Sequence, residues 1–374
     1  MKVLFLSVTA GNGHNSCANA IKDYLEEKGE QTYILDIYGY INKMLGKSVS
    51  EIYNFSIAKI PKVFGTLYDI EEHNKVGVCS LMDNINRLAC KKINDFIKEN
   101  GIDTIVTTHV FGGQLITRLK RKKKIDVLSI GVVTDFTLHP HWENTKLDYY
   151  VIPDEGLMRQ CVKRGLKEES LLPIGIPLNL KYSERKDKRE SKIKLGFNPD
   201  KPLVFVMMGS MGHGNISAII SEADSSNCDY QLAIVCGNNK RAKTRLEKRS
   251  FNKECKIYGF VDNVDEFMDA ADCIITKPGG LTVTESLAKC LPMIYVDPIP
   301  GQELKNVDFL VNNGAGIYVT KNYTLTDALD QFFRYPERRD EMKICVERLS
   351  KPLAAKTLGD FILSNLDKTT NNKE

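Results

Sequence analysis

The chain has 374 residues, which is more than one hydrophobic core usually holds, so we expect two domains. A formal net charge of +4 is a mild excess spread over both halves and indicates no nucleic-acid partner. The longest apolar runs, such as residues 127–133 and 203–208, have the length of strands, and a membrane-spanning helix needs roughly 20 residues. Ten cysteines without CxxC spacing indicate reduced thiols in a cytoplasm.

Apolar strand-like runs alternate with segments of helical periodicity from the start of the chain, as in residues 2–8, 17–28 and 32–37. This alternation predicts the α/β class, with parallel sheets covered by helices. A strand followed by a glycine loop occurs twice, at residues 3–14 and 203–214, so each half begins like a nucleotide-binding fold. We expect Rossmann-like domains over residues 1–178 and 201–350, a charged linker over 178–200, and a C-terminal helix in 351–374 that would pack back on the first domain.

The first glycine loop, Gly11-Asn12-Gly13-His14, lies between a strand and a helix, where backbone amides and the helix start favour a negatively charged ligand. Its spacing does not match the dinucleotide pattern GxGxxG, because Ser16 takes the last position. His14 would reach the crevice at the carboxyl edge of the sheet, where it could take a proton from an attacking hydroxyl. The alternative is a histidine that only caps its own helix.

More polar residues of the first half follow strands at the same sheet edge. Asp135 could assist deprotonation or orient the acceptor, and Trp142, the only tryptophan, could stack on a sugar or face lipid. His139 and His141 lack further ligands at a recognisable spacing, so we predict no metal site from them. The candidate residues for acceptor binding are Gly13, His109, His139 and Trp142.

The strongest motif is the segment Thr276–Glu285, directly after an apolar strand. Its glycines and helix-start amides suit a diphosphate, and Glu285 could accept both ribose hydroxyls or simply stabilise the helix dipole. Residues 298–306 open another helix at the same edge, where an amide and a carboxylate suit sugar hydroxyls. The donor candidates are Lys277, Gly279, Gly280, Leu281, Thr282, Glu285, Gln302 and Glu303, together with Gly212 in the second glycine loop.

The chain contains no Asp-x-Asp triplet that would hold a divalent ion against a nucleotide diphosphate. We therefore expect amides and Lys277 to stabilise the leaving group, with no metal and no cofactor besides the donor substrate.

Taken together and in order, these motifs resemble the membrane-associated GT-B glycosyltransferases that include bacterial processive diacylglycerol glucosyltransferases and plant monogalactosyldiacylglycerol synthases. The peptidoglycan glycosyltransferase that builds lipid II is a more distant relative. The resemblance covers nearly the whole chain. It rests on residues 11–14, 133–136 with His139 and Trp142, 175–177, 235–237, 275–280, and 300–303 with Asn306.

The resemblance implies a GT-B architecture in which the two parallel sheets face a central cleft. It implies that Gly280, Leu281 and Thr282 contact the diphosphate, Glu285 the ribose, Phe260 and Val261 the uracil through their backbone, and Gln302 and Glu303 the donor sugar. His14 would activate the acceptor. The aromatic and lysine-rich segment 41–77 would dip into the bilayer, which implies peripheral, monotopic attachment to the cytoplasmic face of the cell membrane.

We therefore expect an inverting hexosyltransferase that moves glucose from a UDP-sugar to a diacylglycerol-type lipid and gives a β-glycolipid. A UDP-sugar 2-epimerase of the same architecture is an alternative that would need no membrane segment. A non-catalytic nucleotide-sugar sensor is another. A dehydrogenase is disfavoured because neither glycine loop matches the dinucleotide pattern.

Overall fold

The structure is a computed structural model that describes residues 1–9, 13–41, 80–209 and 215–371, without the side chains of 80–86 and 366–371. The chain divides into unit 1, Met1–Leu180 with Leu353–Glu374, and unit 2, Lys181–Pro352. Each unit holds one six-stranded parallel sheet, which confirms the predicted α/β class. None of the helices within these ranges combines the length and the apolar composition that a membrane crossing requires.

Unit 1 is built on a sheet whose strands are largely buried, apart from the partly exposed edge strand at residues 31–36. Its strands are β1 (Lys2–Ser7), β2 (Gln31–Asp36), β3 (Thr104–Thr107), β4 (Leu128–Val132), β5 (Tyr149–Val151) and β6 (Leu171–Leu172), and its first helices are α1 (Gly13–Glu27), α2 (Ile37–Ile41), α3 (Ser80–Asn100), α4 (Val110–Arg121) and α5 (Met158–Lys163). The strand order is β2-β1-β3-β4-β5-β6. Residues Val3 to Leu6 of β1 are completely buried, as the continuous apolar run of a central parallel strand requires.

The C-terminal helix of unit 1 is α14 (Ala354–Asn371), which packs against α1. The Tyr24 hydroxyl of α1 donates a 2.5 Å hydrogen bond to Asp360 Oδ1. A Cβ on Gly359 would lie 2.3 Å from the Tyr24 ring, so the absence of a side chain there lets the two helices approach. Phe361 packs edge-on against Tyr149 of β5, with ring centroids 4.9 Å apart.

Unit 2 repeats the same plan. Its strands are β7 (Leu203–Met207), β8 (Gln231–Val235), β9 (Cys255–Tyr258), β10 (Cys273–Thr276), β11 (Met293–Tyr295) and β12 (Ile317–Tyr318), and its helices are α6 (Lys188–Lys194), α7 (Ile216–Ser225), α8 (Lys240–Glu247), α9 (Val264–Ala270), α10 (Gly280–Ala288), α11 (Gln302–Asn312), α12 (Leu325–Arg334) and α13 (Pro336–Leu349). The strand order is β12-β11-β10-β7-β8-β9. Every strand pair in both sheets is parallel.

The predicted linker over residues 178–200 is corrected by the structure, because residues from Lys181 onward belong to unit 2. Asp187 caps α6 by accepting a 2.9 Å hydrogen bond from the Glu190 amide, and α6 packs on α9. Lys192 is buried, and its Nζ lies 2.9 Å from Asp272 Oδ2. The charged composition therefore reflects a helix tied to the sheet by an ion pair, which composition alone does not distinguish from a solvated connection.

Candidate functional site

In each unit some predicted site residues lie where the strand order of the sheet reverses, and others follow strands further along the sheet. The reversal falls between β1 and β3 in unit 1 and between β7 and β10 in unit 2. Open α/β sheets bind ligands at the carboxyl ends of the strands beside such a reversal. His14 follows β1 and the loop 277–279 follows β10. Residues 10–12, 42–79 and 210–214 lie outside the described residues, and with them the candidate Gly212 and nearly all of the predicted membrane segment.

His14 stands in the first turn of α1, and a backbone carbonyl fixes its ring. Its Nδ1 lies 2.7 Å from the carbonyl oxygen of Thr108 and 3.4 Å from Thr134 Oγ1. A carbonyl oxygen only accepts, so Nδ1 carries the hydrogen and Nε2 is the basic nitrogen of the neutral ring. Burial lowers the pKa of His14, and the hydrogen bond to Thr108 opposes part of that shift. The ring is thus held neutral with one defined basic nitrogen.

Other histidines lie close to His14 in unit 1. The His109 ring packs edge-on against His14, with centroids 4.9 Å apart, and the rings of His139 and His141 lie 5.1 Å from each other. Burial lowers the pKa of His109 well below its usual value, and positive charge on the other three histidines would lower it further. His109 also caps α4, because its Nδ1 accepts a 3.2 Å hydrogen bond from the Phe111 amide. The sequence predicts that His14 and His109 reach the same sheet edge, but not that their rings are in contact, because the two residues are 95 positions apart.

Asp135 and Trp142 have different surroundings. Asp135 is half-buried and directly follows Thr134, which contacts His14. Trp142 is only 3% exposed. Its ring fills the space over two glycines, because Cβ atoms on Gly113 and Gly131 would lie 2.9 and 2.7 Å from it. The prediction that Trp142 stacks on a sugar or faces lipid is therefore wrong in this structure, where the ring is part of the core of unit 1.

The helix α10 begins after the loop that follows β10 and has no side-chain cap. Gly279 is the N-cap residue, with φ −72° and ψ 138°, and it makes no side-chain cap hydrogen bond. The first N–H groups of a helix have no partner within the helix, so Gly280, Leu281 and Thr282 direct donors and the positive end of the helix dipole to this edge. Lys277 is half-buried two residues earlier. The arrangement suits a diphosphate.

Helix α11 lies beside this loop and fixes it. Asn306 is fully buried, and its Nδ2 donates a 2.9 Å hydrogen bond to the Pro278 carbonyl oxygen. Glu303 Oε2 accepts a 2.6 Å hydrogen bond from the Ile299 amide, and its Oε1 lies 3.7 Å from where a Cβ of Gly279 would stand. Burial raises the pKa of Glu303, and the Ile299 amide and the Lys277 charge oppose the shift.

The α11 turn also depends on a glycine. Gly301, the N-cap residue of α11, has φ 96° and ψ −108°, a conformation that side-chain-bearing residues rarely adopt. Gln302 begins the helix and is half-buried. The predicted pair of an amide and a carboxylate is therefore presented directly beside the loop after β10.

Glu285 stands one turn into α10 and is half-buried. Burial raises its pKa to about 7, while a hydrogen bond with Tyr182 and the charge of Lys181 oppose that rise. Tyr182 is a residue that the sequence did not single out, because it fell in the predicted linker. The sequence feature that could have drawn attention to Tyr182 was an aromatic residue beside the charged run 184–190.

Phe260 and Val261 follow the edge strand β9. The Phe260 side chain is 62% exposed, so a backbone contact with a ligand would not require it to leave a packed position. Lys181 Nζ donates a 2.8 Å hydrogen bond to the carbonyl oxygen of the next residue, Asp262. Within the described ranges, no group of three His, Cys, Asp or Glu residues is placed to hold a metal ion.

Comparison with known proteins matches each half of the chain. A family model described as monogalactosyldiacylglycerol (MGDG) synthase matches residues 14–178, and one described as the glycosyltransferase family 28 C-terminal domain matches residues 203–358. A processive diacylglycerol beta-glucosyltransferase from Bacillus pumilus (strain SAFR-032) is 27% identical over 381 residues, which cover 100% of this chain and 97% of the relative.

Solved structures share the fold of the whole chain. Acinetobacter baumannii MurG superposes with a TM-score of 0.64 at 15% identity, over 97% of this chain and 99% of that chain. The UDP-GlcNAc 2-epimerase from Neisseria meningitidis, bound to UDP-GlcNAc, gives a TM-score of 0.62 at 12% identity, over 97% and 100%. These likenesses show the architecture alone, because the identities are low.

The two parallel sheets and the family matches together define a glycosyltransferase of the GT-B architecture. The first half of the chain matches the monogalactosyldiacylglycerol synthase family and the second half the glycosyltransferase family 28 C-terminal domain, and the whole chain is similar to processive diacylglycerol beta-glucosyltransferases, as its motifs predict. The predicted enzyme class, a UDP-sugar-dependent hexosyltransferase, is thereby confirmed.

Proposed function

We propose that the protein transfers a hexose, glucose, from UDP-glucose to the hydroxyl of a diacylglycerol-type lipid with inversion at the anomeric carbon, giving a β-glycolipid. The observation that carries the proposal is His14, a half-buried neutral histidine whose Nδ1 donates to the Thr108 carbonyl oxygen at 2.7 Å. The names of the relatives supply the acceptor and the sugar.

His14 is the proposed general base. Its Nε2 takes the proton of the acceptor hydroxyl as the oxygen attacks the anomeric carbon, and the bond from that carbon to the UDP oxygen breaks at the same time. Attack on the face opposite the leaving group inverts the α-linked donor to a β-linked product. Asp135, beside Thr134, orients the acceptor, together with Gly13, His109 and His139 from the same edge of unit 1.

Unit 2 is proposed to bind the donor and stabilise the departing diphosphate. The amides of Gly280, Leu281 and Thr282 and the ammonium of Lys277 offer positive charge in fixed positions, so the developing charge needs no metal ion in this mechanism. Gln302 and Glu303 bind the sugar hydroxyls, Glu285 the ribose, and the backbone of Phe260 and Val261 the uracil. Gly212 completes the donor residues.

The protein is proposed to act as a peripheral, monotopic enzyme on the cytoplasmic face of the cell membrane. A diacylglycerol acceptor resides in a bilayer, so the enzyme must reach it there. The aromatic and lysine-rich sequence of residues 41–77 is typical of a segment that enters the lipid interface.

The test incubates the full chain with labelled UDP-glucose, UDP-galactose or UDP-N-acetylglucosamine and liposomes that contain diacylglycerol. Label from UDP-glucose in the lipid phase, with the β configuration by NMR, supports the proposal. Label from another donor corrects the sugar. A free epimerised sugar nucleotide supports the epimerase, and UDP-sugar binding without any product supports the sensor.

The His14→Asn variant tests the base. An asparagine amide can still donate to the Thr108 carbonyl, yet it has no basic nitrogen. We expect the transfer rate to fall by at least about 100-fold, as for the loss of a general base, while UDP binding in unit 2 stays within twofold and serves as the control. A near-normal rate would contradict the assignment.

A further inference from the structure

Side-chain hydrogen bonds link the first turn of α1 to the ends of β1 and β3. The Ser7 hydroxyl donates to Asn15 Oδ1 at 2.6 Å, and the Thr108 hydroxyl donates to Ser7 Oγ at 3.3 Å. The carbonyl oxygen of the same Thr108 accepts from His14 Nδ1 at 2.7 Å. Because His14 and Asn15 are adjacent in the chain, these four residues form a closed ring of contacts around the proposed base.

Asn15 also contacts the backbone segment that leaves β1. Its Nδ2 donates to Thr9 Oγ1 at 3.2 Å. The Thr9 amide donates to Asp36 Oδ2 at 2.5 Å, and Asp36 Oδ1 accepts from the Gly39 amide at 2.7 Å, so Thr9 is anchored at the end of β2 independently of Asn15. The Asn15 amide therefore uses its oxygen on Ser7 and its nitrogen on Thr9, and ties the first turn of α1 to two separately held points.

We propose that Asn15 is a positioning residue for the transfer reaction, whose side-chain amide holds the first turn of α1, and with it the His14 imidazole, in place against the Thr108 carbonyl. The inference rests on the proposed function and names a residue that acts through His14. Ser7 and Thr108 are buried, so packing fixes the hydroxyls to which Asn15 is linked. The Thr108 carbonyl alone holds one ring nitrogen of His14, whereas the Asn15 bonds hold the backbone from which the ring extends.

The position of the ring matters because a general base must lie within hydrogen-bond reach of the proton that it removes. A displacement of about 1 Å can lower a rate about 100-fold. Loss of the Asn15 amide leaves the imidazole and its bond to Thr108 intact, so its effect should be smaller than the loss of His14 itself. The proposed donor residues belong to unit 2, so the KM for the donor should not change.

The experiment measures kcat and both KM values of the full chain with UDP-glucose and diacylglycerol liposomes at pH 8, with Asn15→Ala as the variant. Asn100→Ala is the matched control. Asn100 is also a half-buried asparagine of unit 1, and its Nδ2 donates to the Phe96 carbonyl oxygen at 2.9 Å. It ends α3 and precedes the amino end of β3, which is the edge of the sheet opposite His14.

We expect Asn15→Ala to lower kcat about tenfold and to leave both KM values within about twofold, because the variant displaces the base without altering either binding site. The control keeps kcat. Asn15→Asp should restore kcat to within about threefold, since its carboxylate accepts from the Ser7 hydroxyl and the Thr9 hydroxyl can donate to it. In a His14→Asn background, Asn15→Ala should lower the residual rate by less than about twofold, because no base is left to position.

An unchanged kcat in Asn15→Ala would overturn the inference. A tenfold loss that persists in the His14→Asn background would reveal a purely structural role and overturn it as well, and so would a change in the acceptor KM alone. If Asn15→Ala does not fold, Ser7→Ala removes the same link from the other side, and an unchanged kcat in that variant would overturn the inference. A near-normal rate in His14→Asn would overturn the proposed base itself, so the two failures are distinguishable.

Discussion

The Asn306→Ala substitution removes the side-chain bond that fixes the loop after β10. Asn306 Nδ2 donates to the Pro278 carbonyl oxygen at 2.9 Å, in a fully buried position. Removal of the donor leaves a buried acceptor without this partner, which costs roughly 1–3 kcal/mol. When a loss of about 2 kcal/mol appears entirely as a cost of ordering the loop for UDP, the affinity for UDP falls about 30-fold.

The assay is titration of UDP into the full chain by calorimetry, with thermal unfolding measured in parallel. We expect the UDP dissociation constant to rise by between about 5-fold and 30-fold, since the free loop can relax toward water and must be reordered on binding. Asn313→Ala is the matched control. Asn313 closes the same helix, and its Nδ2 donates 2.8 Å to the Phe309 carbonyl, away from the loop.

The reasoning is refuted if Asn306→Ala lowers the unfolding temperature while UDP affinity stays within twofold of the unaltered protein. That result would mean that the bond stabilises α11 but does not shape the diphosphate site. A loss of affinity equal to that of Asn313→Ala would lead to the same conclusion.

Three further predictions concern stability and pH. Lys289→Met should destabilise unit 2 by roughly 3–5 kcal/mol in denaturant unfolding. The reason is that Asp269, the buried ion-pair partner of Lys289 at 2.8 Å, is left without a counter-charge. A loss of stability below about 1 kcal/mol would contradict this prediction. Gly131→Ala should cost roughly 1–3 kcal/mol by the same measurement, since the added Cβ would stand 2.7 Å from the Trp142 ring. The acidic limb of kcat should lie below pH 6.5, because burial lowers the pKa of His14 and its neutral base form persists to lower pH; a limb above pH 6.5 at saturating donor would count against His14.

The alternation of apolar runs and helical segments was sufficient to predict the class and the two sheets, because parallel strands buried on both faces require continuous apolar runs. The loops around His14 and Gly280 could also be placed at a sheet edge, since both follow such runs. The sequence alone could not predict which loops lie next to each other in the fold. His14 touches Thr108 and His109 only because β1 and β3 are neighbours, whereas β2 intervenes along the chain.

Trp142 and Lys192 show why the burial of particular side chains was not predictable. A tryptophan near polar residues suggests a binding surface, but Gly113 and Gly131 leave space for its ring inside unit 1. A lysine in a charged run suggests solvent, but Lys192 Nζ reaches Asp272, whose carboxylate also accepts from the Leu203 amide at 2.8 Å. In both cases the decisive partner is distant in sequence and carries no local signal.

The proposed donor site and the proposed base differ in the groups that hold their residues in place. Side chains of α11 hold the backbone around the donor residues: Asn306 bonds the Pro278 carbonyl oxygen, and Glu303 accepts from the Ile299 amide. His14, by contrast, is oriented by a main-chain carbonyl that no substitution removes. Point substitutions in unit 2 should therefore weaken nucleotide binding in graded steps. In unit 1 only replacement of the imidazole itself removes the basic nitrogen, so the two functions should separate cleanly in kinetics, one in the donor KM and the other in kcat.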